Sequence, residues 1–168
     1  MKKTITTLAL IGMMTAAHAQ CDNHLTYTTD EFTGKGSWTN KQDFLISPDG
    51  KNGMGTYLIM SDNKDKTLIW VIASTEVGCV DEGAKVELVF TDQTRMTLYG
   101  NGKFNCQGKA TVYFGSVFGK KNEMTKIATT PIEMIRVHGS RSLHSEKFDT
   151  QMGIDFMNAF NCLVENRK

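Results

Sequence analysis

The sequence predicts an α+β fold: a curled, mainly antiparallel β-sheet of about seven to nine strands, with a carboxy-terminal amphipathic helix packed on it. Three observations carry that expectation. Short apolar runs recur along most of the chain, bounded by Gly, Asn, Asp, Ser or Pro. One pair of runs, around Val86 and Leu98, alternates apolar and polar residues on both sides of a polar turn. Near the end, Met152, Phe156, Ala159, Phe160 and Leu163 repeat at helical spacing and form a single stripe.

The first segment reads as a leader. Lys2 and Lys3 precede an apolar stretch from about Leu8 to Met14, and Ala17-His18-Ala19 supplies the small-x-small pattern of a signal-peptidase site. The stretch is far shorter than the ~20 residues needed to span a bilayer. The expected organisation is therefore a signal peptide over 1–19 and one exported domain over 20–168. Cys21 close to the cut also admits a lipoprotein reading. Gln20 opposes it, because the residue before a lipidated cysteine is normally small.

Strands are predicted over His24–Thr29 and Asp43–Ser47, the second ended by Pro48-Asp49-Gly50. Thr56–Met60 and Thr67–Ala73 flank the polar turn Asp62–Lys66 and read as a hairpin. Leu68 to Ile72 leave little polar face, which predicts a central strand covered on both sides. Ala110–Ser116 is a further strand, and Asn122–Ala128 a short helix before Pro131. Ile132–Val137 and Leu143–Phe148 form a hairpin about Gly139-Ser140, setting His138 opposite Arg141 and His144 opposite Ile135. The last helix runs from about Thr150 to Glu165, capped by Asp149 or Thr150.

The hairpin around Thr91-Asp92-Gln93 also bears on the cysteines. Putting both apolar sets on one face requires Val86 opposite Leu98 and Leu88 opposite Met96, hence a three-residue loop. Extended outward, that register sets Cys79 opposite Asn105, one residue short of Cys106. One extra residue in Gly100-Asn101-Gly102, where a bulge costs little, aligns the two cysteines. The predicted disulfides are therefore Cys79–Cys106 and, by remainder, Cys21–Cys162, which would tie the mature amino terminus to the last helix.

Common chemistries find little support. Basic and acidic residues nearly balance, at 19 and 18, with no block of like charge, so neither nucleic acid nor an anionic membrane is an expected partner. No later segment is long and apolar enough for a transmembrane helix. His24, His138 and His144 are the mature histidines; Ser140, Ser142 and Asp149 lie near the last two, but no GxSxG elbow is present. That hairpin reads as a polar tip. Asp62–Asp65 and Asp49–Asn52 lack the calcium-loop order and read as turns. Gly50–Gly55 and Gly100–Gly102 lack the phosphate-loop lysine-hydroxyl pair. Without a CxxC pair, the cysteines read as structural rather than redox or metal-binding. No cofactor is expected.

Gly36-Ser37-Trp38 resembles the GxW signature of lipocalins, and Arg136 resembles the arginine that packs on that tryptophan. That resemblance implies a barrel carrying a small ligand. The Lys2-Lys3-Thr4 start, Asp30 to Gly34, Gly83-Ala84-Lys85, Lys126-Ile127, Ile135-Arg136-Val137 and the Phe156–Leu163 helix resemble small exported proteins of the Bacteroidota. This resemblance implies location and broad architecture only. The expected function is a non-catalytic binding or interaction module outside the cytoplasm, with a protein or small ligand as partner. The alternatives are a small hydrolase assembled from distant residues and a lipocalin-like carrier.

Overall fold

The computed structural model describes residues 21–46, 53–62, 64–115 and 117–167. The leader reading, the Gln20 position and the Asp49–Asn52 turn lie outside them. In chain order the elements are β1 (Leu25–Thr29), β2 (Gly36–Asn40), β3 (Phe44–Leu45), β4 (Met54–Ser61), β5 (Leu68–Ser74), β6 (Lys85–Phe90), β7 (Arg95–Tyr99) and β8 (Lys109–Phe114). They continue as α1 (Lys121–Thr129), β9 (Ile132–His138), β10 (Leu143–Lys147) and α2 (Thr150–Asn166). All strand pairs are antiparallel. The fold is α+β, as the sequence predicts, but the sheet is divided in two. One sheet runs β1-β2-β4-β5-β8, with β3 sharing an edge of β4; the other runs β10-β9-β6-β7.

Alternation dictates which face is covered. Met54, Thr56, Leu58 and Met60 of β4 point inward, as do Leu68, Trp70 and Ile72 of β5. Strand β5 is central, yet Ile69 and Ala73 on its second face are only half-buried. Two-sided covering is therefore partial, with Val71 buried on that face between the half-buried Ile69 and Ala73. In the other sheet Val86, Leu88 and Phe90 meet Val137, Ile135 and Ile132 across β6 and β9. The side chains of both sheets and both helices join one continuous core.

The β6–β7 hairpin pairs Val86 with Leu98 and Leu88 with Met96. Phe90 N–H bonds the Thr94 carbonyl, and Gln93 sits at φ 65°, the left-handed last position of a three-residue loop. Farther out, Gly100 N–H bonds Ala84 O, while Val80 and Asn105 exchange both backbone hydrogen bonds. That pairing is one residue out of step with the hairpin, and Cys79 is bonded to Cys106. Cys21 and Cys162 form the second disulfide.

Two elements depart from expectation. Gly36–Asn40 is a strand, held opposite β1 by a tilted Tyr27–Trp38 ring pair at 4.8 Å. The β9–β10 loop is four residues, not two, so His144 faces Val137 and His138 faces Leu143. The cause is tertiary. Ser140 N–H bonds Cys79 O and Arg141 N–H bonds Val77 O, so the loop spends its amides on the disulfide segment instead of closing tightly.

Helix α2 starts at Asp149, whose carboxylate accepts from the Gln151 and Met152 amides. It buries Phe156, Ala159, Phe160 and Leu163. At Gly153 an added Cβ would lie 2.6 Å from Ile132 O, so only glycine lets the helix backbone approach β9 this closely. Helix α1, expected over Asn122–Ala128 and observed over Lys121–Thr129, packs beside α2.

Candidate functional site

The histidines of the β9–β10 hairpin enter two separate polar clusters. His144 Nδ1 lies 2.7 Å from Ser74 Oγ, and its Nε2 lies 2.9 Å from Glu146 Oε1 and 3.7 Å from Glu76 Oε2. Serine, imidazole and carboxylate thus stand in the order of a nucleophilic relay. Access decides against catalysis here. Ser74 is 2% exposed and His144 7%, and Ser74 Oγ also accepts the Glu76 amide. One tautomer satisfies every group: Ser74 donates to Nδ1, and Nε2–H donates to Glu146. Because Ser74 ends β5 and His144 lies on β10, the contact ties one sheet to the other. His144→Ala is expected to cost about 2 kcal/mol, from the orphaned Ser74 hydroxyl and lost packing, read by urea unfolding.

Both hairpin serines are engaged with backbone groups. Ser140 Oγ accepts the Cys79 amide at 3.1 Å, and Ser142 Oγ donates to Glu76 O at 2.7 Å. His138 joins the second cluster, on the outward face of β6 and β9. Glu87 there receives Lys85 at 2.7 Å, His138 Nε2 at 2.9 Å and Arg136 at 3.4 Å, while Arg136 Nε donates to Ser145. The Lys85 hydrogen bond, then that of His138, holds the Glu87 carboxyl down from 4.5 to about 2. A lowered carboxylate stabilises fully above its unfolded pKa, and the contribution disappears as pH falls through the folded one. The wild type should therefore lose stability between about pH 4.5 and 2, and Glu87→Gln should flatten that limb in acid titrations followed by circular dichroism. An unchanged limb would remove Glu87 as its cause.

The remaining sequence candidates are dispersed. Among the described residues no group of three or more His, Cys, Asp or Glu could hold a metal ion. Asp62, in the polar turn, accepts the Tyr27 hydroxyl at 2.9 Å. Trp38 stacks in the six-stranded sheet, whereas Arg136 belongs to the four-stranded one, and neither sheet closes on itself. The arginine–tryptophan contact expected of a lipocalin is not formed.

A site absent from the sequence reading lies between the helices. A cleft of about 610 Å³ has Met124, Ala128 and Val164 among its lining, with Thr125 and Lys121 on the α1 side and Arg167 at one end. Its size falls in the ~300–1,000 Å³ range of small-molecule sites. Arg167 reaches across from α2 to Met124, where Nη1 donates to the thioether sulfur at 3.3 Å. At the same helix end Lys66 Nζ donates to Asn166 O at 2.9 Å. The α1 spacing of Met124, Thr125 and Ala128 puts them on one side of that helix. Nothing local shows that this side faces α2, because the partner residues are about one-fifth of the chain away.

No family model matches the chain, and searches of curated proteins and of solved structures return no similar protein.

Proposed function

We propose that this protein is an exported, non-catalytic binding module whose ligand site is the cleft between α1 and α2. The observation carrying the reading is the cleft itself, concave, largely apolar and bordered by a few polar groups. Two further facts support it. The Ser74–His144–Glu146 and Glu87–His138 clusters direct their hydrogen bonds to the chain's own groups. Two disulfides fit an oxidising compartment, and among the described residues no helix is long and apolar enough to cross a membrane. Export itself rests on the leader-like residues 1–19.

The test is mass spectrometry of protein purified from its own extracytoplasmic compartment, under native and then denaturing conditions. Extra native mass released on denaturation is the expected result. A bare native mass, together with no saturable uptake of any small amphiphile, would overturn the reading.

The competing reading is a hydrolase, since Ser74, His144 and Glu146 are bonded in series, although the ring nitrogens are exchanged relative to a serine relay and Ser74 is 2% exposed. A fluorophosphonate reporter distinguishes the two. The binding reading expects no labelling; labelling lost in Ser74→Ala would establish a reactive serine instead.

A further inference from the structure

We infer that the cleft takes a single-chain amphiphile whose anionic head sits against Arg167, an assignment that rests on the binding reading above. Among the described residues Arg167 is an undercompensated cation. Arg167 is half-buried, and among the described residues its Nη1 bonds only a thioether, a weak acceptor. Among the described residues its guanidinium has no ion pair with a carboxylate. A guanidinium presents a planar fork of donors that fits two oxygens of a carboxylate or phosphate, and such charge-assisted bonds are about twice as strong as neutral ones. An oxyanion is thus the partner this side chain lacks among the described residues.

The charged lining leans basic, with Lys121 and Arg167 against the one carboxylate of Glu165. Lys121 lines the same cleft, and Lys66 reaches the carboxy-terminal end of α2 beside Arg167. Next to the guanidinium lie the apolar Met124, Ala128 and Val164, interspersed with Thr125, Thr129 and Asn161. Methionine's flexible thioether adapts to chains of differing shape. Gly115 adjoins the guanidinium, where even a Cβ would make only an ordinary 3.7 Å contact with Arg167 Nη2. A guanidinium set beside apolar side chains between two helices matches a ligand with one oxyanion head and one apolar tail. A cation would meet Lys121 and Arg167 against Glu165 alone, and a uniformly polar ligand would leave Met124, Ala128 and Val164 uncovered.

The experiment titrates the full disulfide-bonded protein with dodecanoate, dodecanol and dodecyltrimethylammonium, each below its micellar concentration, by calorimetry. Dodecanoate is expected to bind roughly tenfold more tightly than dodecanol, and the ammonium more weakly than either. Arg167→Met keeps apolar bulk and should bring dodecanoate to the dodecanol level. Thr125→Trp fills the mouth from an exposed position and should abolish both, with an unchanged thermal melt confirming the fold. Equal binding of all three would overturn the anionic head while leaving the cleft as a binding site. No saturable binding of any probe would overturn the inference and count against the binding reading too. Dodecyl phosphate in place of dodecanoate then separates a phosphate from a carboxylate source.

Discussion

Replacing Cys21 and Cys162 together by serine is expected to lower the free energy of unfolding by about 5 kcal/mol. The two residues stand 141 apart in sequence, so their bond closes nearly the whole described chain into one loop. In the chain-entropy account, the longer the loop, the more freedom the bond removes from the unfolded state. Cys79 and Cys106 are only 27 apart, and their double replacement should cost about 3.5 kcal/mol. Within each bridge, either single serine should cost nearly as much as the pair, whereas losses across the two bridges should add. Urea unfolding of the four single and two double variants, with dithiothreitol-treated wild type as reference, checks all of this. A smaller loss for the 141-residue bridge than for the 27-residue one would mean native-state geometry, not chain entropy, sets the values. The bond also has a local effect that entropy ignores. Cys162 is 4% exposed on the buried side of α2, so a serine there places a hydroxyl among apolar atoms.

The hairpin that aligns Cys79 with Cys106 was legible because its signal is local. Val86, Leu88, Met96 and Leu98 alternate within about a dozen residues, and alternation fixes register without help from elsewhere. The α2 stripe was legible for the same reason at helical period. Strand β2 was not. Gly36, Ser37, Thr39 and Asn40 carry no apolar pattern, and the strand is held by Tyr27 across the hairpin and by β4 on its other side. A residue whose conformation is set by its partners leaves no periodic trace. The four-residue β9–β10 loop fails similarly: Gly139-Ser140 suits a tight turn, and only the docking onto Val77 and Cys79 opens it. The helix cleft lies furthest from local signals. It needs α1 beside α2 and Lys66 beside Asn166, separated by 100 positions in the chain. Ser74 and His144, 70 apart, meet only because β5 and β10 end at the same corner of the fold.

Truncating Phe156 to alanine should cost about 3–5 kcal/mol, near the top of that range. Its ring is fully buried at the meeting point of α2 with the six-stranded sheet. It lies 5.0 Å from Trp70, 5.3 Å from Phe44, 5.8 Å from Phe148 and 6.1 Å from Phe160, centroid to centroid. Removing it takes away the transfer energy of a large side chain and several edge or tilted ring contacts at once. What sets the magnitude is how far neighbours can collapse into the space. Trp70 is the largest of them, and it is pinned: its indole N–H donates to Thr56 Oγ1, which donates onward to Val71 O at 2.8 Å. Moving the indole to fill the gap would break a fully buried chain of hydrogen bonds. The cavity should therefore persist, and Phe156→Leu, which leaves less of one, should lose about half as much. Trp70 itself reports the change, through its near-ultraviolet dichroism and emission in urea unfolding. A loss below about 1.5 kcal/mol for Phe156→Ala would mean the core repacks freely, and that α2 is held chiefly by Cys21. The two contributions separate in one comparison. Phe156→Ala measured with the Cys21–Cys162 bond intact and then absent should show the same decrement in both backgrounds, because one acts on native packing and the other on the unfolded chain.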